Sequence, residues 1–325
     1  MSKSKAKKTD KPNTIPDCEE NTNLKISLKR LKVKDIRPSE AYDPAEEISE
    51  KRRGYIRVCL MLICICVFIG SAYSIISTLV GYSKAEQVYG DLLEEDIEVN
   101  SPYILTNENV TTPRFGSRIS LSTGLSLDFA TYQRMISRIK TLQAVNSEVI
   151  GWINIPGTKN INYPLMQAIN NDYYLSHDYK GNYLAAGSIF LDYRCSKDFN
   201  ENHNTVIYGH NMQNNMMFSE IIKFLQKDFF DENKYIYLYN EYGVYTYEIF
   251  SIYKTNYQYK YIETGFETHT EFVEFAYEMK ENSLFVRDGI EFDENSRIIT
   301  LSTCTNVLQT ERYCLQAVLV DAYNN

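Results

Sequence analysis

A single thiol carries the chemistry most easily read from this sequence. Residues 300–306 run Thr-Leu-Ser-Thr-Cys-Thr-Asn, after the apolar alternation of Ser296–Leu301 and at the point where a strand should run out. An inert cysteine is usually buried among apolar neighbours, whereas a working thiol needs a polar or electropositive setting that favours the thiolate. Cys304 has the second kind of neighbours. Of four histidines, His210 closes the strand-like stretch Asn-Thr-Val-Ile-Tyr-Gly-His, and Gly209 before it admits a tight bend. Arg312 lies eight residues beyond Cys304, at the start of the last strand-like run. The seven residues between them make a hairpin connection that returns Arg312 beside the thiol.

These three residue types compose one reaction. A thiolate attacks a peptide carbonyl, an imidazolium protonates the leaving amine, and a guanidinium holds the tetrahedral oxyanion in its planar fork of donors. The other histidines, His177, His203 and His269, stand in polar loops, at a strand start or at a helix start, where a surface or capping role suffices. An isolated arginine beside Glu311 would ordinarily be a surface ion pair. Only its company with Cys304 and His210 favours the catalytic reading.

The elements that must position this trio are mostly strands. Eight short runs rich in Ile, Val and Tyr, with Gly, Pro and Asn between them, begin at Val149, Ile161, Ala186, His203, Lys234, Val244, Ser296 and Tyr313. They predict a closed or nearly closed eight-stranded β-barrel. Before them, Phe129, Met135, Ile136, Ile139 and Leu142 recur at mostly helical spacing and predict an amphipathic helix. Two further helical stretches are expected, Met216–Gln226 after the fourth run and Thr268–Ser283 before the seventh. Many of the 27 tyrosines fall in the strands, where a ring can pack while its hydroxyl reaches water.

Val58–Val80 is an uncharged apolar run, long enough at about 1.5 Å per residue to span about 30 Å of hydrocarbon. A cleaved signal peptide would have a shorter apolar core, so the run reads as a permanent anchor. Lys51, Arg52, Arg53 and Arg57 precede it and Glu86, Asp91, Glu94, Glu95 and Asp96 follow, which keeps the N-terminus cytoplasmic and residues 81–325 outside. The 325-residue chain has a net charge of −8; residues 1–57 carry 15 basic and 10 acidic side chains, leaving −13 for the remainder. So acidic an outer part argues against nucleic acid as a partner, because phosphate binding needs a basic patch. The basic tail fits an anionic inner leaflet or simple solvation equally well.

Of seven cysteines only Cys195, Cys304 and Cys314 lie beyond the span, an odd number without paired spacing and no disulfide framework. No Cys-x-x-Cys or His-Glu-x-x-His pattern occurs, so no zinc site is expected.

Beyond these readings, the chain resembles the class B sortases, membrane-anchored cysteine transpeptidases of Gram-positive cell surfaces. The likeness covers roughly residues 126–322. It rests on Gly151–Gln167, Asn171–Gly181, Gly187–Arg194, Asn204–Met212, Met217–Phe230, Val244–Thr255, Ile299–Thr305 and Glu311–Val320. The resemblance implies that Cys304 is the nucleophile, His210 the general acid/base and Arg312 the oxyanion-stabilising residue, with Ser302 and Thr303 flanking the substrate. It implies a mainly β fold: an eight-stranded barrel with an N-terminal helix and a helix before the seventh strand, preceded by one transmembrane helix. It further implies cleavage of a C-terminal sorting signal of the LPxTG or NPxTx kind through a thioacyl intermediate. An amine of a peptidoglycan precursor or a pilin lysine would then accept the surface protein, with no metal or organic cofactor.

The expected organisation is a disordered basic tail over 1–57, a membrane helix over 58–80, a stalk over 81–125 and the catalytic domain over 126–325. The tail is longer than the family's usual leader. Cys314, two residues past Arg312 on the same strand, should share its side, so it reads as a packed inert thiol, a second thiol at the site or a disulfide partner of Cys304. Two other functions compete: a surface cysteine protease that hydrolyses the same intermediate, and a non-enzymatic ectodomain on the same fold. The intact trio speaks against the second.

Overall fold

A computed structural model of the chain describes residues 44–94, 118–120, 129–304 and 310–324. The chain divides into two units, residues 1–67 and 68–325. Helix α1 runs unbroken from Pro44 to Glu94, and its Ile48–Gly90 portion is long and apolar enough to cross a membrane. Apolar side chains along it face outward: Leu62, Val67, Phe68 and Ile75 are each more than half exposed. A helix apolar all round has no aqueous face, as expected of a lipid-facing span. The tail expected over 1–57 is helical from residue 44 onward, and its earlier part lies outside the described residues. Residues 81–94 continue α1, and Ala85 and Tyr89 on it are fully buried.

In the larger unit, α2 (Phe129–Gln143) buries Tyr132, Met135, Ile139 and Leu142, one stripe of a 3.6-residue period. The strands follow: β1 (Arg118–Ser120), β2 (Val149–Asn154), β3 (Asn162–Met166), β4 (Ile189–Leu191), β5 (Asn204–Tyr208), β6 (Tyr235–Asn240), β7 (Gly243–Asn256), β8 (Ile298–Cys304) and β9 (Glu311–Asn324). Their order is β1-β9-β7-β6-β2-β3-β4-β5-β8, and β8 pairs again with β9. Strands β2–β9 thus close into an eight-stranded barrel, which removes the sheet edges. The pairs β3–β4 and β5–β8 are parallel and the others antiparallel.

Strand β1 was not anticipated. The register of β8 on β9 ends at Ile298↔Val318, and β1 takes the edge beyond it, with Arg118 opposite Tyr323 and Ser120 opposite Asp321. Both helical expectations after the barrel begins are met: a 3-10 turn at Ser219–Leu225 leads into α3 (Lys227–Glu232), and α4 (His269–Glu281) precedes β8. Thr268 caps α4, its Oγ1 accepting from the Glu271 N–H at 3.1 Å.

Two apolar clusters hold the unit together. The larger fills the barrel and the space under α2, around Trp152, Tyr163, Phe218, Phe224 and Leu301. Trp152 is fully buried, donates from Nε1 to Asn162 Oδ1 at 2.6 Å, and carries the Arg138 guanidinium 4.1 Å above its ring. The smaller cluster lies beneath α4 and joins Phe250, Tyr253, Tyr261, Phe272, Phe275, Met279 and Cys314.

Candidate active site

Register brings the three reactive residue types to one end of β8. Across the antiparallel pair β8–β9, Cys304 faces Arg312 directly. On the opposite flank β5 runs parallel to β8 with Tyr208 beside Ser302, and the Gly209 N–H donates to the Ser302 carbonyl at 3.2 Å. Pairing therefore continues past the strand, and His210 leaves the sheet level with Cys304. The hairpin arithmetic expected Arg312 there. The parallel pairing that delivers His210 joins residues almost a hundred positions apart and is a purely tertiary result.

Gly209 is required for a different reason from the one its sequence position suggested. It does not adopt a positive φ; a Cβ there would lie 2.4 Å from Ile189 Cδ1 and 2.8 Å from the Phe218 ring. Close packing of β5 on its neighbours, not a bend, excludes a side chain.

His210 is partly exposed, and its Nε2 lies 2.7 Å from the Leu175 carbonyl, in a 3-10 turn at Tyr173–Leu175. A carbonyl only accepts, so Nε2 carries the hydrogen and Nδ1 keeps the lone pair of the neutral ring. The His210 carbonyl accepts from the Phe218 N–H at 2.9 Å. Arg312 donates from Nη1 to the Glu311 carbonyl at 2.9 Å, and its guanidinium lies 5.8 Å from the Tyr257 ring centre. The Glu311 carboxylate pairs with Lys254 Nζ at 2.8 Å.

Ser302 and Thr303 are both buried. Ser302 Oγ is 2.9 Å from the Tyr261 hydroxyl. The segment after Cys304, residues 305–309, lies outside the described residues.

The connection between β7 and α4 forms a wall along β8 and β5, and three consecutive residues pin it. Tyr261 meets Ser302; the Ile262 carbonyl accepts from Arg194 Nη2 at 2.9 Å; the Glu263 carbonyl accepts from Asn204 Nδ2 at 2.8 Å. Asn204 Oδ1 accepts from Thr300 Oγ1, which accepts from Gln316 Nε2, so a buried ladder crosses β9, β8 and β5 to reach the wall. Arg194 is held in turn by Asp192, which is fully buried and accepts from Arg194 Nε at 2.9 Å and Nη2 at 2.8 Å, from Tyr208 and from Asn171. Burial pushes the Asp192 carboxyl up, but the Arg194 guanidinium and N–H and the Tyr208 hydroxyl outweigh it and hold it below the usual carboxylate range. Tyr261, Leu175, Asp192 and Arg194 went unmarked in the sequence. An Asp-x-Arg spacing closing an apolar strand was the one available signal.

Cys314 is a free thiol, fully buried under α4 opposite Tyr253, and burial pushes it up to about 12. This is the packed, inert reading, not a disulfide partner of Cys304. Cys195 is also free and buried, pushed up to about 11 by the same cause. The remaining histidines have structural surroundings. His177 stacks on Tyr173 with ring centres 4.1 Å apart. His203 packs on Phe272, where burial and the nearby Arg297 charge pull it down. His269 opens α4. Among the described residues no group of three or more His, Cys, Asp or Glu is arranged to hold a metal ion.

Comparison with known proteins agrees with this architecture. A sortase-domain profile matches residues 153–320. The chain is 39% identical over 184 residues to sortase B of Listeria monocytogenes, covering 56% of this chain and 74% of that protein. Among solved structures it is similar to Clostridium perfringens sortase B, at 38% identity and a TM-score of 0.53 over 56% of this chain and 99% of that one. It is also similar to the Staphylococcus aureus sortase B–substrate complex, at 34% identity and a TM-score of 0.55 over 59% of this chain and 89% of that one. By these matches, and by a closed barrel of the same design, the chain belongs to the sortase family and is a cysteine transpeptidase of the sortase B type.

Proposed function

We propose that Cys304 passes its thiol proton to His210 and attacks the carbonyl of a sorting-signal peptide, that His210 gives that proton to the departing amine and later deprotonates the incoming one, and that Arg312 holds the oxyanion. The observation that carries this reading is the register: Cys304 stands opposite Arg312, with His210 level on the other flank. Nδ1 of His210, not tied to the Leu175 carbonyl, is the nitrogen left to exchange the proton. The planar guanidinium supplies two donors to an oxyanion that forms only during attack, so it favours the transition state over the bound substrate.

The substrate is a surface protein bearing a C-terminal LPxTG- or NPxTx-like signal, cleaved after its threonine to a Cys304 thioacyl. The acceptor is an amine of a peptidoglycan precursor or a pilin lysine. Ser302 with its Tyr261 partner, and Thr303, border the peptide. Residues 58–80 span the cell membrane with the N-terminus cytoplasmic, because the basic flank precedes the span, and the catalytic domain faces outside. Burial of Ala85 and Tyr89 and the pairing of β1 with β9 support a catalytic unit wider than residues 126–325.

The test uses the full chain in detergent micelles with quenched LPxTG-like and NPxTx-like peptides, with and without an added amine. Mass spectrometry should find a thioacyl adduct on Cys304 that the amine captures. An adduct lost only to water would reassign the protein as a protease. Turnover retained in Cys304→Ala would remove Cys304 from the chemistry.

A further inference from the structure

The far end of α1 reaches the histidine's support. Tyr89 is 1% exposed, with its ring edge-on to Tyr163 at 5.5 Å. Its hydroxyl lies 2.9 Å from both the Gly187 carbonyl and Ser188 Oγ. Those two residues form the corner that underlies the Tyr173–Leu175 turn. The Ser188 N–H donates to the Tyr174 carbonyl at 2.9 Å, and Ser188 Oγ donates to the His177 carbonyl at 2.8 Å. Gly187 has φ +58°, and a Cβ on it would fall 2.4 Å from the Tyr174 oxygen and 2.8 Å from the Leu175 oxygen. Nothing but glycine lets the corner approach so closely. The Leu175 carbonyl above it accepts from His210 Nε2.

We propose that Tyr89 is a positioning residue for His210: its hydroxyl locks the Gly187–Ser188 corner against the Tyr174–Leu175 backbone, which aims the Leu175 carbonyl at Nε2 and so selects the Nε2–H tautomer. The anchor helix thereby belongs to the catalytic machinery and is not only a tether. Glu86, one turn earlier, accepts from Asn214 Nδ2 at 3.3 Å, and the Leu92 carbonyl accepts from Arg138, so the contact continues along the helix end. The proposal rests on His210 being the general acid/base, and it makes the tautomer of that ring depend on a residue 121 positions earlier in the chain.

The test labels histidine with nitrogen-15 in the full chain in detergent micelles and assigns the His210 ring signals by their loss in His210→Gln. In the unsubstituted chain the ring shifts should report mainly the Nε2–H tautomer. Tyr89→Phe removes one oxygen and should move the His210 nitrogens toward mixed tautomers. It should lower kcat about three- to tenfold at unchanged KM. Ser188→Ala should act in the same direction from the other side of the contact. Ile139→Val, a core trim in α2 with comparable loss of stability, should leave the His210 signals in place. Unmoved His210 signals and unchanged kcat in Tyr89→Phe would overturn the proposal, as would an equal shift in Ile139→Val. Turnover retained in His210→Gln would instead defeat the underlying catalytic reading, and the proposal with it.

Discussion

The two apolar clusters of the catalytic unit do different work. The larger cluster fills the barrel and the space under α2 with side chains such as Trp152, Ile153, Phe224 and Leu301, each with almost no contact to water. The cluster under α4 is small and lies on the outer face of β7, β9 and β8. It mixes Tyr253, Tyr261 and Cys314 with phenylalanines, and it reaches Ser302 through the Tyr261 hydroxyl. Alternation along β8 assigns its residues in turn: Leu301 packs inward on Leu315, while Ser302 and Cys314 pair on the α4 side. The inner face therefore holds the strands in register, and the outer face uses that register to build a site wall. Stability and activity should separate between them.

The sharpest separation comes from Cys304→Ala, expected to lower turnover by about a thousandfold or more while leaving the thermal midpoint within error, measured by peptide cleavage and by melting. In the larger cluster, Trp152→Ala should cost about 3–5 kcal/mol in denaturant unfolding, since it empties a large volume and removes the Asn162 hydrogen bond and the Arg138 ring contact. Turnover per folded molecule should hold; a large fall in kcat at full folding would break the comparison. Arg312→Lys keeps the charge but not the planar fork, and should cost about a hundredfold in kcat/KM with no loss of stability.

Tyr261→Phe should cost about 1 kcal/mol in kcat/KM, because it leaves buried Ser302 without that partner and loosens the wall. The smallest effect is absent at neutral pH. The folded Cys314 thiol holds its proton up to about 12 against an ordinary value of 9.0. Below pH 9 both folded and unfolded states are protonated and stability is full. Between 9 and 12 only the unfolded state ionises, so stability falls as pH rises. Urea midpoints at pH 8, 9 and 9.5 should show that decline, and Cys314→Ala should lessen it; Cys195 and tyrosines such as Tyr163 and Tyr245, held protonated by burial, add declines of the same sign.

All eight barrel strands were legible as runs of Ile, Val and Tyr because each buries at least one face, and a period of two survives in the letters. Cys304 and Arg312 were legible as a pair because a short hairpin is a local event. Strand β1 was not, since three residues carry no period and only the edge of β9 gives them a partner. Ala85 and Tyr89 were hidden for a related reason: apolar residues at the end of a membrane-length helix look the same whether they meet lipid or protein.

The sequence alone determined the candidate residue types, the barrel, the apolar span and the acidic balance beyond it, because composition and short-range period are properties of neighbours along the chain. Tertiary structure alone decided that β5 pairs parallel with β8, that Tyr261–Glu263 is pinned at three points, that Cys314 is sealed under α4, and that Tyr89 reaches the turn supporting His210. Each joins residues tens of positions apart, where closure entropy must be met by many contacts at once and no local pattern records the result.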